Sequence, residues 1–510
     1  MSQSSESTQT RGQAGTPGKP QRNGLEVGGV HSSASENWVD LWTLKAETRH
    51  QLKEASRNAA CSQTWQRSEG QGDGSQEIET PQKVRKLQRT LYRKAKAEPG
   101  YRFWSLYGEL LRSDLLEHAL KLVARNDGAP GVDGQKIAEI TAKEEIRQQW
   151  LKQLQKELEH KTYRPSPVRR VHIPKSDGGK RPLGIPTVTD RVVQMAALLV
   201  LAPIFEADFH PNSFGFRPRC NAHQALNAII EALRAGKLEV VDADLSKYFD
   251  TIPHRKLMQL LAKRISDGAM LHLLRQWLNA PVIEEDTDGT RRTLGNKQGV
   301  PQGGVISPLL ANVYLNALDW AVNNPAEEGR PVMVRYADDF VILCEPGQSD
   351  QLHARLKCWL QARGLKLSEE KTRTVHSRTA FKFLGFTIRW QSSKRSGRWY
   401  AHVEPSARSG QRLRDTVREH LNHWTLHRSI GDTVHDLNRV LRGWSQYYHY
   451  RNSSRVFGKV NRWVRHRMRR WLWRKHRRTK ALWKAYPDEL LYEQYRLWRL
   501  PESASIRGNQ

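Results

Sequence analysis

The chain has 510 residues, with 83 Lys or Arg against 53 Asp or Glu and a formal net charge of +30. A hydrophobic content of 38% with 17 Trp excludes a wholly disordered chain, and the length suffices for about three domains. The charge favours polyanionic partners through counterion release without saying which polymer. Cys61, Cys220, Cys344 and Cys358 form no Cys-x-x-Cys pair, which argues against a structural zinc site and a secreted disulfide framework. The N-terminus lacks the apolar core of a signal peptide, and no uninterrupted apolar run reaches membrane-spanning length. A reducing cytoplasm, with no membrane partner, is the expected setting.

In chain order, residues 1 to about 36 are poor in large apolar side chains and read as disordered. A short helix is predicted over 37–58 around Trp38, Leu41 and Trp42, followed by a polar linker over 62–80. Lys83 to Lys96 holds seven Lys or Arg with Leu87, Leu91 and Tyr92 between them. That is a basic helix able to lie along phosphates, or simply a solvated face. From 100 to 390, strand-like runs such as 168–173 and 383–388 alternate with helical segments such as 191–205.

Within that stretch, Tyr336-Ala337-Asp338-Asp339 lies between the apolar runs 332–334 and 340–343, the pattern of a β-hairpin tip. Two anions held at a turn between buried flanks are costly unless cations neutralise them. Oxygen-only ligands favour Mg²⁺ over zinc or copper. Upstream, Glu239-Val240-Val241-Asp242-Ala243-Asp244 starts as a β-branched strand and turns acidic. Strand spacing puts Asp242 and Asp244 on one face and does not choose between them. Carboxylates from two such strands could bracket two divalent ions, which clamp the attacking and leaving oxygens of an in-line phosphoryl transfer.

Residues 442 to 478 contain thirteen Lys or Arg and no Asp or Glu. Phe457, Val460, Val464, Met468 and Trp471 recur at helical spacing as a core-facing stripe. Lys459, Arg462, Arg465, Arg469 and Arg470 fall off that stripe. A cationic run without counter-charge repels itself until it meets phosphate, so the region reads as a helical RNA- or hybrid-binding surface.

Asp244-Leu245-Ser246-Lys247-Tyr248-Phe249-Asp250 followed by Tyr336-Ala337-Asp338-Asp339 resembles the palm of reverse transcriptases, and specifically those encoded by bacterial group II introns. Supporting segments fall in the family's order: 126–134, Tyr163-Arg164-Pro165, Ile173-Pro174-Lys175, 181–186, Ser213-Phe214-Gly215-Phe216-Arg217-Pro218, 298–308, 364–372 and Phe383-Leu384-Gly385-Phe386. Leu437 to Tyr448 looks like the maturase, or X, domain that serves as thumb.

The resemblance implies an α+β right-hand polymerase, with an antiparallel palm sheet followed by an all-helical thumb. The expected blocks are an extension at 1–80, a basic helix and fingers at 81–235, palm at 236–392, thumb at 405–480 and a short tail at 481–510. Many relatives carry a His-Asn-His endonuclease after the thumb; residues 479–510 have no Cys or His, so none is expected here. Asp244, Asp338, Asp339 and the backbone carbonyl of Leu245 become the implied ligands of two Mg²⁺ (or Mn²⁺), with Asp242 as strand support. Phe249 would lie under the nucleotide sugar and favour dNTPs, although read alone it is equally a core aromatic. Gln302 would touch nucleotide or template. Lys175 and Arg181 would clamp the triphosphate, and Lys371 would protonate pyrophosphate. The implied partners are intron RNA, an RNA template with a DNA primer, dNTPs and target DNA. Two alternatives stay open: an RNA-binding splicing factor with a vestigial polymerase, and a related enzyme recruited to host defence or repair.

Overall fold

The computed structural model describes residues 78–174, 180–285, 290–324, 326, 329–477 and 481–503. The segments expected to be disordered and helical before residue 78, and Lys175, lie outside the described residues.

Helix α1 (Gln82–Ala97) buries Val84, Leu91 and Ala95, which recur at helical spacing. It lies with α2 (Ser113–Arg125) and α3 (Glu144–Glu159) in a helical layer. Gln88 Nε2 donates to the Leu199 carbonyl at 3.1 Å, fixing α1 to α4 (Val188–Glu206). Helix α4 starts at a Thr187 cap that accepts the Asp190 N–H. It is long and apolar enough to cross a membrane, with a mean hydropathy of 1.6, but 72% of it is buried inside the protein as a core helix.

Strands β1 (Val168–Pro174) and β2 (Lys180–Ile185) pair antiparallel. After them come α5 (Ala222–Arg234), β3 (Glu239–Asp244), α6 (His254–Ala262) and α7 (Gly268–Asn279). Strands β4 (Val282–Glu285) and β5 (Arg291–Leu294) complete the first sheet, ordered β2-β1-β4-β5. This corrects the consecutive blocks expected from sequence: β4 and β5 fall inside the stretch read as palm, yet they pair with the fingers through a parallel β1·β4 contact. A register that joins residues more than a hundred positions apart leaves no local signature.

Helix α8 (Ser307–Val322) leads into β6 (Val332–Tyr336) and β7 (Asp339–Cys344), then α9 (Ser349–Ala362) and β8 (Arg373–His376). The palm sheet runs β6-β7-β3-β8 and is antiparallel throughout. A third sheet, β11-β10-β9, joins β9 (Phe381–Phe383), β10 (Phe386–Ser392) and β11 (Trp399–Pro405), carrying the palm region past residue 392. Phe381, Phe386, Val334, Val341 and Leu343 are buried in one core between α5 and these two sheets.

Helices α10 (Ala407–His420), α11 (Ile430–Tyr448) and α12 (Ser454–Lys475) form the thumb. Every member of the stripe Phe457, Val460, Val464, Met468 and Trp471 is buried, each stabilising the fold by roughly 1.5–3 kcal/mol. The segment read as a short C-terminal tail packs onto this core. Tyr486, Leu491, Leu497 and Leu500 are buried in it, and Asn461 exchanges hydrogen bonds with the Leu500 backbone.

Candidate active site

The site grows from strand register. Asp244 stands directly opposite Asp339 across the β3·β7 ladder, and Tyr336 stands opposite Asp339 across the hairpin. The Asp244 carbonyl accepts the Ser368 N–H at 2.8 Å on the β8 side. Backbone groups of one residue point to one edge, so Asp244 and Asp339 form a non-hydrogen-bonded pair, with Cα atoms about 4.5 Å apart and side chains on one face. Ser246 and Asp244 both bond the 366–368 segment, so the Leu245 carbonyl between them faces the opposite edge, toward the hairpin.

Ala337 and Asp338 form the two-residue loop, and Ala337 alone of the two has a positive φ, 63°. That is the pattern of a II′ turn, where the twist suits a hairpin but a side chain is disfavoured. Beneath the loop, the Arg335 Nη1 donates to the Ala337 carbonyl at 2.8 Å and to Asn312 Oδ1 at 2.8 Å. Its remaining donors reach Asp319 and the Ser213 hydroxyl. Arg335, Asn312, Ser213 and Asp319 are all buried.

The carboxylates differ in environment. Asp339 keeps an exposed edge at the turn, yet it is pushed up to about 7, by desolvation among its packed neighbours first and then by the charges of Asp242, Asp338 and Asp244. Asp242 is also raised, chiefly by burial, although Arg373 at 3.1 Å opposes this. Asp244 pairs with Lys371 at 2.8 Å. Among the described residues, no three His, Cys, Asp or Glu side chains already form a metal-holding cluster. The donor set is nonetheless all oxygen and mutually repelling, and it therefore suits a hard divalent cation.

The loop 299–304 gathers the other candidates. Val300 N–H donates to the Phe249 carbonyl at 2.6 Å, and Gly184 N–H donates to the Gln302 carbonyl at 2.6 Å. Gly299 (φ 90°) lies on the Asp250 backbone and Gly303 (φ 111°) against the Gly184 carbonyl, so side chains at either would collide. Phe249, Gln302 and β2 are thereby held together. Phe249 is buried. Arg181 occupies β2 opposite Ile173.

Of the five thumb cations, Lys459, Arg462 and Arg470 are exposed along one face of α12. Arg465 and Arg469 do not join them. Both pair with Asp488, and Arg469 Nε also donates to the Tyr486 carbonyl at 2.7 Å, tying α12 to the C-terminal segment. Sequence reading could not see this because the partner is a single acid beyond the basic run. It also passed over Arg335, although an arginine inside an apolar strand needs buried partners. A further signal was Asn312, Asn316, Asp319 and Asn323, spaced as one polar stripe on an otherwise apolar helix.

An antiparallel palm with paired carboxylates at its hairpin, fed by a fingers sheet and followed by a helical thumb, defines a right-hand nucleic-acid polymerase. Residues 173–388 match the reverse transcriptase (RNA-dependent DNA polymerase) family, and residues 410–487 match the group II intron maturase-specific domain. The chain belongs to the group II intron reverse transcriptase/maturase family. It is 36% identical to protein YkfC of Escherichia coli K12 over 343 residues, 60% of this chain and 88% of that protein. It is 32% identical to the group II intron-encoded protein LtrA of Lactococcus lactis subsp. cremoris over 362 residues, 58% of this chain and 59% of LtrA. The putative COX1/OXI3 intron 2 protein of Saccharomyces cerevisiae matches at 36% over 180 residues, 35% of this chain and 20% of that protein. The chain is an RNA-directed DNA polymerase with a maturase domain, and nucleic acid, including intron RNA, is its substrate class.

Proposed function

We propose that Asp244, Asp338, Asp339 and the Leu245 carbonyl hold two Mg²⁺ during DNA synthesis from dNTPs on an RNA template. The direct opposition of Asp244 and Asp339 carries this reading, with Asp338 supplied by the turn between the hairpin strands. Bound there, divalent cations would acidify the primer 3′-hydroxyl and neutralise the triphosphate. Phe249 would limit space at the nucleotide sugar, and Gln302 would contact nucleotide or template. Lys175 and Arg181 would neutralise phosphate oxygens. Lys371, which pairs with Asp244, would give a proton to departing pyrophosphate.

In the thumb, Lys459, Arg462 and Arg470 would bind intron RNA phosphates. Binding that RNA in its folded form assists splicing, the RNA itself performing the chemistry. Target DNA is a further substrate of this proposal, and the cytoplasm its setting. The test is primer extension on a generic RNA template with a DNA primer, dNTPs and Mg²⁺. Asp338→Ala should lose extension while still binding intron RNA; extension at the wild-type rate would refute the assignment.

A further inference from the structure

Phe216 combines two features that rarely occur together. Its φ is 58°, in the left-handed region that bulky side chains avoid, and 58% of its surface is exposed. Neither of its neighbours is free to relax it. A side chain at Gly215 would overlap the Ala337 backbone, and the Gly215 carbonyl accepts from Asn312 Nδ2 at 2.8 Å. Phe214 N–H donates to the Arg335 carbonyl at 2.9 Å. On the other side, Arg217 is buried, pairs with Glu206 at 2.6 Å and donates to the His210 and Ser213 carbonyls. A strained backbone thus holds an apolar ring in solvent, where it adds little to the core. Strain of this kind persists only where the surroundings over-determine it, and it concentrates at ligand contacts.

Position indicates the ligand. Ser213 bridges Arg335 along the edge of β6 that faces away from β7 and β3. Asp244, Phe249 and Lys371 all lie on the β3 side. If the nucleotide enters between β3 and the fingers, the strand bearing the 3′-hydroxyl must cross the other flank of the hairpin. We propose that Phe216 packs against the bases or sugars of the primer strand beside its growing end, a binding contact for a DNA primer paired to RNA. This rests on the polymerase reading above.

The test uses the full chain and a labelled DNA primer annealed to RNA, with affinity measured by anisotropy in EDTA and single-nucleotide extension in Mg²⁺. Phe216→Gly removes the ring and also relieves the left-handed strain. It should therefore melt no lower than wild type, yet bind primer–template roughly tenfold more weakly, as expected for loss of one stacking contact. The KM for primer–template should rise with that for dNTP unchanged, and Phe216→Trp should restore binding. Wild-type affinity in Phe216→Gly, a loss confined to the dNTP KM, or a fall in melting temperature accounting for the defect would each overturn the proposal. If wild type fails to extend any primer while Phe216→Gly still weakens binding, the contact stands and the polymerase reading falls. If wild type extends, Asp338→Ala does not, and Phe216→Gly matches wild type, the polymerase reading stands and the contact falls.

Discussion

Arg335 donates to both carboxylate oxygens of Asp319, at 2.8 and 2.5 Å, with side chains 0% and 1% exposed. The pair lies directly under the β6–β7 hairpin, because a further Arg335 donor holds the Ala337 carbonyl. Arg335→Ala would strand a buried carboxylate and should destabilise the palm by about 3–5 kcal/mol. Replacing both partners, Arg335→Met with Asp319→Leu, should recover much of that loss, since no buried charge remains. It should not recover primer extension, because Ala337 and Ser213 still lack their donor. Melting curves beside extension rates separate the two effects.

Asp242 and Asp244 share a face of β3 but not a partner. Asp242 is engaged by Arg373, whereas Asp244 stands opposite Asp339. Asp244→Asn should reduce extension at least about a hundredfold, the upper end of what even an outer-shell metal partner costs. Asp242→Asn forfeits one partly exposed ion pair, about 1 kcal/mol or less, and should retain most activity. Steady-state extension at saturating dNTP decides between them.

His210 supplies a pH-dependent contribution to stability. It is pushed down to about 3 by burial and by the positive charges of Arg217, Arg330 and Arg335. Its Nδ1 accepts the Asn212 N–H at 3.0 Å, which requires a neutral ring at that nitrogen. The unfolded chain takes up the proton first, near pH 6.5. The contribution is therefore complete above that value and is lost as pH falls toward 3, by up to about 1.4 kcal/mol per pH unit. His210→Gln should melt lower than wild type at pH 7.5, with the gap narrowing at pH 5.

The cations of α12 should divide by partner. Replacing Lys459, Arg462 and Arg470 with Ala should weaken RNA binding and flatten its salt dependence by about 0.7–0.9 per phosphate contact removed, leaving the melting temperature near wild type. Arg465→Ala and Arg469→Ala should instead lower the melting temperature, because each removes one of the two ion pairs that hold Asp488 to α12. Salt-titrated filter binding and thermal melts report the two outcomes.

Much of this arrangement can be read along the chain. The acidic turn between apolar runs, the β-branched strand ending in Asp244 and the apolar stripe of α12 each depend on periodicity over a few residues. Such patterns survive because burial acts on one face of a local element. What the chain could not show is which distant group answers each charge. Asp488 holds Arg465 and Arg469, Asp319 holds Arg335, and Arg373 takes Asp242 away from its neighbour Asp244.

By itself, the order of residues determined that a pair of acidic strand ends would be presented by a basic, helix-rich protein. Only the tertiary structure decided that Asp244 faces Asp339, that β4 and β5 join the fingers, and that residues 486–500 close the thumb. The reason is range. Side-chain periodicity is dictated by backbone geometry within a few residues, whereas strand register and charge pairing are settled by packing between segments tens to hundreds of residues apart.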